Sequence, residues 1–163
     1  MRRASPRIRA AEPRDALLLF RLIRELADYE RLADRVVGTE AQLEQHLFGE
    51  RPAAEALVAE LEGEPVGFAV FFTTFSTFLT RPGIWLEDLF VRPERRRAGV
   101  GRALLEHLGR LAVERGCGRM EWSALDWNAP ALGFYAELGA RPVDGWVVHR
   151  LEGEALRRLG AGD

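Results

Sequence analysis

The 163-residue sequence predicts a mixed α/β (α+β) fold, one sheet with helices on both faces. Three observations carry this. Segments of strand and helix character follow one another in the order β-α-α-β-β-β-α-β-α-β. The central three strands read as a meander, and the later strands alternate with helices, as crossover connections do. Between the third of these strands and the next helix lies a turn thick with arginine and glycine.

Residues 7–10 form a first strand. Pro13 then opens a helix in its first turn, where a missing N–H costs nothing. Leu18, Leu22, Ile23 and Leu26 recur at helical spacing and make an apolar stripe, carrying the helix to about Arg31. Thr39-Glu40-Ala41-Gln42 has the form of a capping box, so a short second helix should run to Phe48. Residues 56–61 and 65–75 are apolar runs joined by Glu62-Gly63-Glu64, a hairpin signal. Residues 80–83 turn, and residues 84–91 form the next strand. Val100, Leu104, Leu108, Leu111 and Ala112 give the following helix one apolar face, ending near Gly116. Residues 119–125 read as a strand and 128–138 as a helix stopped by Gly139. Residues 143–151 read as a final strand and 152–159 as a terminal helix. One domain spans 1–163, with a core at about 7–155.

Apolar residues make up 47% of the chain, enough for a full core, and the net charge of −2 gives no general reason to bind nucleic acid or membrane. All 23 basic residues are arginine, so no lysine can form a Schiff base. A lone Cys117 permits no internal disulfide and suits a reducing compartment, and the expected location is the cytoplasm. No apolar run is long enough to span a bilayer, and the first residues lack the apolar stretch of a secretory signal. His46, His107 and His149 are dispersed without ligand spacing, so no metal is expected. Trp85, Trp122, Trp127 and Trp146 read as core or interface residues.

The run from Leu89 to Arg102 builds an anion site. Glycines at 99 and 101 let the backbone turn tightly and approach a ligand. The free N–H groups of the helix's first turn point into that turn, and Arg95, Arg96, Arg97 and Arg102 raise the potential. A phosphate-bearing cofactor fits such a place. The spacing is neither a P-loop, since no Gly-Lys-Ser/Thr follows, nor the dinucleotide fingerprint, since position 104 is Leu.

Arg96-Arg97-Ala98-Gly99-Val100-Gly101 resembles the acetyl-CoA motif Arg/Gln-x-x-Gly-x-Gly/Ala of the GCN5-related N-acetyltransferases (GNAT). Three further segments, at 22–30, 86–91 and 127–135, resemble the diamine (spermidine/spermine) branch of that superfamily, as does Gly145-Trp146. The resemblance implies the GNAT fold: a single mixed, mostly antiparallel, twisted sheet with helices on both faces and a splayed pair of parallel strands that binds acetyl-CoA. It implies that backbone groups of Leu89, Phe90 and Val91 bond the pantetheine arm. The amides of Arg97, Ala98, Gly99, Val100, Gly101 and Arg102, behind Arg96, cradle the pyrophosphate. Asn128, Ala129, Pro130 and Ala131 line the cofactor's other side. The branch usually has Gly and then an aromatic where this chain has Arg97 and Ala98; an arginine there adds a possible contact to the phosphates.

The same resemblance gives Tyr135 as the acid that protonates the departing thiolate. A phenol near ~10 matches a thiol near ~8.5 only if the site tunes both. Glu87 and Asp88 are adjacent acids in an apolar strand, whose side chains should face opposite ways. One should enter the site while the other is solvated or paired, and the resemblance picks Glu87 to hold and deprotonate the ammonium, directly or through water. Tyr29 and Glu30, with Asp144, are the implied amine-binding residues. The expected activity is direct acetyl transfer to a primary amine of a small molecule, such as a polyamine, diamine or lysine-like amino acid, by a homodimer without metal. Acetylation of a protein or peptide, or an acyl-CoA-binding sensor without turnover, stand as alternatives.

Overall fold

The computed structural model describes residues 5–162, in two compact units, Met1–Ser123 and Ala124–Asp163. The first unit holds a five-stranded sheet in the order β1-β2-β3-β4-β5, comprising Arg7–Ala10, Glu55–Leu61, Glu64–Ser76, Arg81–Val91 and Met120–Trp122. Neighbours from β1 to β4 are antiparallel and β4 with β5 is parallel. The mixed, mostly antiparallel sheet expected from the sequence is therefore present. Glu62 and Gly63, at φ 55° and 85°, make the tight turn that joins β2 to β3. Two left-handed residues match the strand twist, which is why this short Glu-Gly connection closes a hairpin.

Two helices precede β2: α1 (Ala16–Tyr29) and α2 (Glu40–Phe48). Pro13 heads a short 3-10 turn, Pro13–Asp15, so the α-helix itself starts three residues later than the sequence suggested. Leu19, Leu22 and Leu26 of α1, with Leu47 of α2, pack on Ala56, Val58, Phe68, Val70 and Phe90 of the sheet. The expected stripe is thus centred on Leu19, while Leu18 and Ile23 sit at its border. Alternation along the strands puts Leu57, Ala59, Ala69 and Phe71 on the other face, equally buried. There α3 (Val100–Glu114) buries Val100, Leu104, Leu105, Leu108 and Ala112. The capping box of α2 forms as read: Thr39 Oγ1 accepts from the Gln42 N–H at 3.3 Å, and the Thr39 N–H donates to Gln42 Oε1 at 2.9 Å.

A buried ion cluster fastens the start of the chain to the sheet. The Arg9 guanidinium donates to both oxygens of Asp15, at 2.7 and 2.9 Å, and to Glu60 at 2.7 Å. Asp15 is 5% exposed, and the Arg9 hydrogen bonds hold its carboxyl below the usual range. Asp15→Asn should cost about 3 kcal/mol, because it removes one partner of a buried pair. The depressed carboxyl supplies stability above the ordinary Asp range near ~4 that is lost as pH falls through it. The gap in melting temperature between wild type and variant should therefore narrow in acid; a constant gap from neutral pH to below ~4 would sink this account.

The second unit carries α4 (Ala129–Glu137) and α5 (Gly153–Ala161). Asn128 caps α4, its Oδ1 accepting from the Ala131 N–H at 3.4 Å, and Pro130 sits in the first turn. The strand expected at 143–151 does not form: no described residue there pairs in a ladder, and Val143, Trp146, Val147 and Val148 are exposed. Strand propensity is realised only against a neighbouring strand, and none lies within this unit. The strand expected at 119–125 is also shorter, stopping at Trp122.

Candidate active site

In the first unit the end of the sheet opens. The β4–β5 ladder runs only from Ile84–Met120 to Leu86–Trp122. From Glu87 to Val91 the outer edge of β4 has no strand beside it among the described residues. Leu89, Phe90 and Val91, the expected pantetheine contacts, lie on this edge. An unpaired edge presents backbone donors and acceptors to any extended amide-bearing ligand.

β4 also carries a bulge. Val70 pairs with Asp88 and Phe71 with Leu86, so Glu87 is an extra residue without a partner on β3. Regular alternation fails at such a place, and side chains are re-aimed. Glu87 is exposed and accepts a hydrogen bond from the Trp85 indole at 2.9 Å. Asp88 is the half-buried acid. Burial pushes its carboxyl up to about 6, and the charges of Glu87 and Glu30 push the same way. Burial also raises the Glu30 carboxyl. The Glu30 charge acts on Asp88, so the end of α1, which carries Tyr29 and Glu30, lies near the acids of β4. Of that pair, the solvated and paired acid is Glu87. Asp88 is the more buried of the two, and only strand pairing reveals the bulge that re-aims them.

Beyond Val91 the chain makes a 3-10 turn, Pro93–Arg95, and then enters α3 through Gly99. Gly99 has φ 80°, and with no side chain it leaves the first-turn amides of α3 uncapped, unlike those of α2. Arg97, standing where the resembled branch has glycine, has φ 65°. A left-handed arginine costs roughly 1–2 kcal/mol relative to the right-handed backbone. Arg95, Arg97 and Arg102 form no ion pair among the described residues, so no paired carboxylate neutralises their charge. Uncapped amides, a left-handed glycine and unneutralised arginines together fit a diphosphate. Arg96 differs: its guanidinium lies 4.2 Å from the centre of the Tyr29 ring, and its Nε–H donates to the Val91 carbonyl at 3.1 Å.

In the second unit Tyr135 is half-buried on α4, its ring 5.7 Å from that of Phe134. Asn128 spends its carbonyl oxygen on the helix cap, leaving its amide N–H groups for other partners. Ala129 and Pro130 are exposed in the first turn, with Ala131 half-buried, and Asp144 is exposed. Cys117 is half-buried, and among the described residues no group of three or more His, Cys, Asp or Glu could hold a metal ion. No described helix is long and apolar enough to cross a membrane.

The sequence profile of the Acetyltransferase (GNAT) family matches residues 20–140. A thialysine N-epsilon-acetyltransferase from Sus scrofa is 40% identical over 167 residues, covering 96% of this chain and 98% of the relative. A spermidine/spermine N(1)-acetyltransferase-like protein from Homo sapiens is 31% identical over 91% of this chain, which corresponds to 23% of that longer protein. Among solved structures, an integron cassette protein from the mobile metagenome of V. cholerae superposes with a TM-score of 0.80 at 28% identity, covering 96% of this chain and 98% of that one.

Proposed function

The chain belongs to the acetyltransferase (GNAT) family, in its polyamine-acetylating branch, and from that premise we propose how its own residues carry acetyl from acetyl-CoA to a small-molecule amine. Acetyl-CoA is the cosubstrate of this family, and when bound it supplies an acetyl group already activated as a thioester. The turn from Arg97 through Ala98, Gly99, Val100 and Gly101 to Arg102 grips its diphosphate through main-chain amides. The free edge at Leu89, Phe90 and Val91 pairs with the pantetheine amides. Asn128, Ala129, Pro130 and Ala131 contribute from α4.

The observation that carries the acceptor reading is the acidic nook at the β4 bulge. Glu30, Glu87 and Asp88 gather three carboxylates, one of them poised near 6, where a cationic amine must arrive. An ammonium is held there by charge, with Tyr29 as a further amine contact; Asp144 is an amine contact on the resemblance alone. A carboxyl raised to about 6 is a better base than an ordinary one, so Asp88, with Glu87 beside it, takes the proton that frees the nitrogen. Tyr135 returns a proton to the departing sulfur. Three acids suit an acceptor with more than one ammonium, or with a flexible arm ending in one: a polyamine, a diamine or a lysine-like amino acid. The working form is a cytoplasmic homodimer that engages neither nucleic acid nor membrane.

The test is thiol release from acetyl-CoA across a panel of spermidine, putrescine, thialysine, ornithine, lysine and a peptide with a free N-terminus. Turnover with one or more of the small amines, and none with the peptide, is expected. Acetyl-CoA binding without thiol release would instead mean a sensor, and turnover confined to the peptide would mean a protein acetyltransferase.

A further inference from the structure

Two arginines bracket the 3-10 turn before the phosphate turn, and both reach back to α1. Arg92 forks onto Glu25, its Nε and Nη2 donating at 2.9 and 2.8 Å. Arg96 stacks on Tyr29 at 4.2 Å, stays within 6.0 Å of the Phe90 ring, and ties its Nε–H to the Val91 carbonyl. Glu25 and Tyr29 are four residues apart, as are Arg92 and Arg96. One face of the last turns of α1 is therefore held at two points by the segment that leads into the phosphate turn.

These two contacts differ in kind. The Arg92–Glu25 fork joins the helix to the end of β4, which is already fixed by the sheet. Arg96 is the last residue before the left-handed Arg97, inside the stretch that must order around a diphosphate. Its partner Tyr29 precedes Glu30, one of the acids that faces the amine. The guanidinium of Arg96 is thus engaged with the amine-binding wall, while Arg97 and Arg102 remain for the phosphates.

We infer that Arg96 is a positioning residue that couples the phosphate turn to the amine-binding wall, so that filling the turn steadies Tyr29 and Glu30 and tightens binding of the acceptor. The inference rests on the roles given above to the turn and to Glu30. It makes the two sites bind cooperatively, each tightening the other, because the acceptor meets its wall fully formed only when the turn is settled. An exposed guanidinium stacked on a phenol ring has a strength corresponding to about twofold to fivefold in an equilibrium constant.

Hydrogen exchange on the full chain tests this with acetyl-CoA alone as the probe. In wild type, acetyl-CoA should slow exchange both at residues 97–103 and at residues 26–30. In Arg96→Gln the first region should stay protected and the second should lose its protection, with Arg96→Lys in between. Protection at 26–30 that persists in Arg96→Gln, or that never occurs in wild type, overturns the coupling. Absence of protection at 97–103 in wild type marks a different failure, that of the phosphate turn itself. Kinetics supply the second readout, with thialysine or spermidine as acceptor. Arg96→Gln should raise the amine KM by about threefold to fivefold, while the Kd of acetyl-CoA for the amine-free protein moves by less than about twofold. The reverse split would make Arg96 a plain phosphate ligand and sink the proposal. Glu30→Gln is the control on the wall: if it leaves the amine KM unchanged, the wall reading fails and the coupling with it.

Discussion

Asp88→Asn should lower kcat/KM for the amine by about 10²-fold or more at neutral pH, the scale on which a positioned base contributes. The substitution keeps the shape of the side chain and removes only its ability to take a proton. The sign of the pH dependence follows from the raised carboxyl. Asp88 is ionised above about 6, so wild-type kcat/KM should rise with pH through that value and then level. The variant should show no such limb. The same shift has the opposite consequence for folding. A carboxyl that holds its proton more tightly when folded than the ~3.9 of an unfolded Asp loses stability as pH rises from the lower value to about 6. Asp88→Asn should thus melt no lower than wild type at pH 7 while being far slower. A variant that is both slow and unstable would place Asp88 in the scaffold. Glu87→Gln should cost less, since its carboxylate is exposed and bound to the Trp85 indole.

Tyr135→Phe should cut kcat by roughly tenfold or more and leave acetyl-CoA affinity nearly unchanged, because the ring remains and only the proton donor goes. A dependence on the leaving group separates acid catalysis from packing. A thioester of a more acidic thiol needs less help from a proton donor, so the penalty of the substitution should shrink with such a donor. An equal penalty for both thioesters, or unchanged turnover with acetyl-CoA, would remove Tyr135 from the role of acid.

What the sequence discloses is what is written locally. The Thr39–Gln42 capping box, the Glu62-Gly63 hairpin turn and the left-handed Gly99 ahead of α3 each depend on a few neighbouring residues, and each could be read directly. The features that shape the proposed amine site depend on distant partners. Glu87 is an extra residue only because Val70 and Phe71 pair around it. Which of two adjacent acids turns inward could not follow from alternation once alternation fails. Arg96 meets Tyr29 across 67 positions of chain, so the motif that suggested a phosphate ligand gave no hint of a second task. The apolar run at 143–151 shows the converse, since strand-forming residues do not make a strand without one to lie against.

The fork where β5 leaves β4 after Leu86 bears on how such a protein can change over evolutionary time. If a cosubstrate is received there as a provisional sixth strand, recognition runs through main-chain geometry that every amino acid shares. Residues 89–91 are then answerable to extension and burial and much less to identity. Selection can keep the grip while the alphabet at the grip drifts.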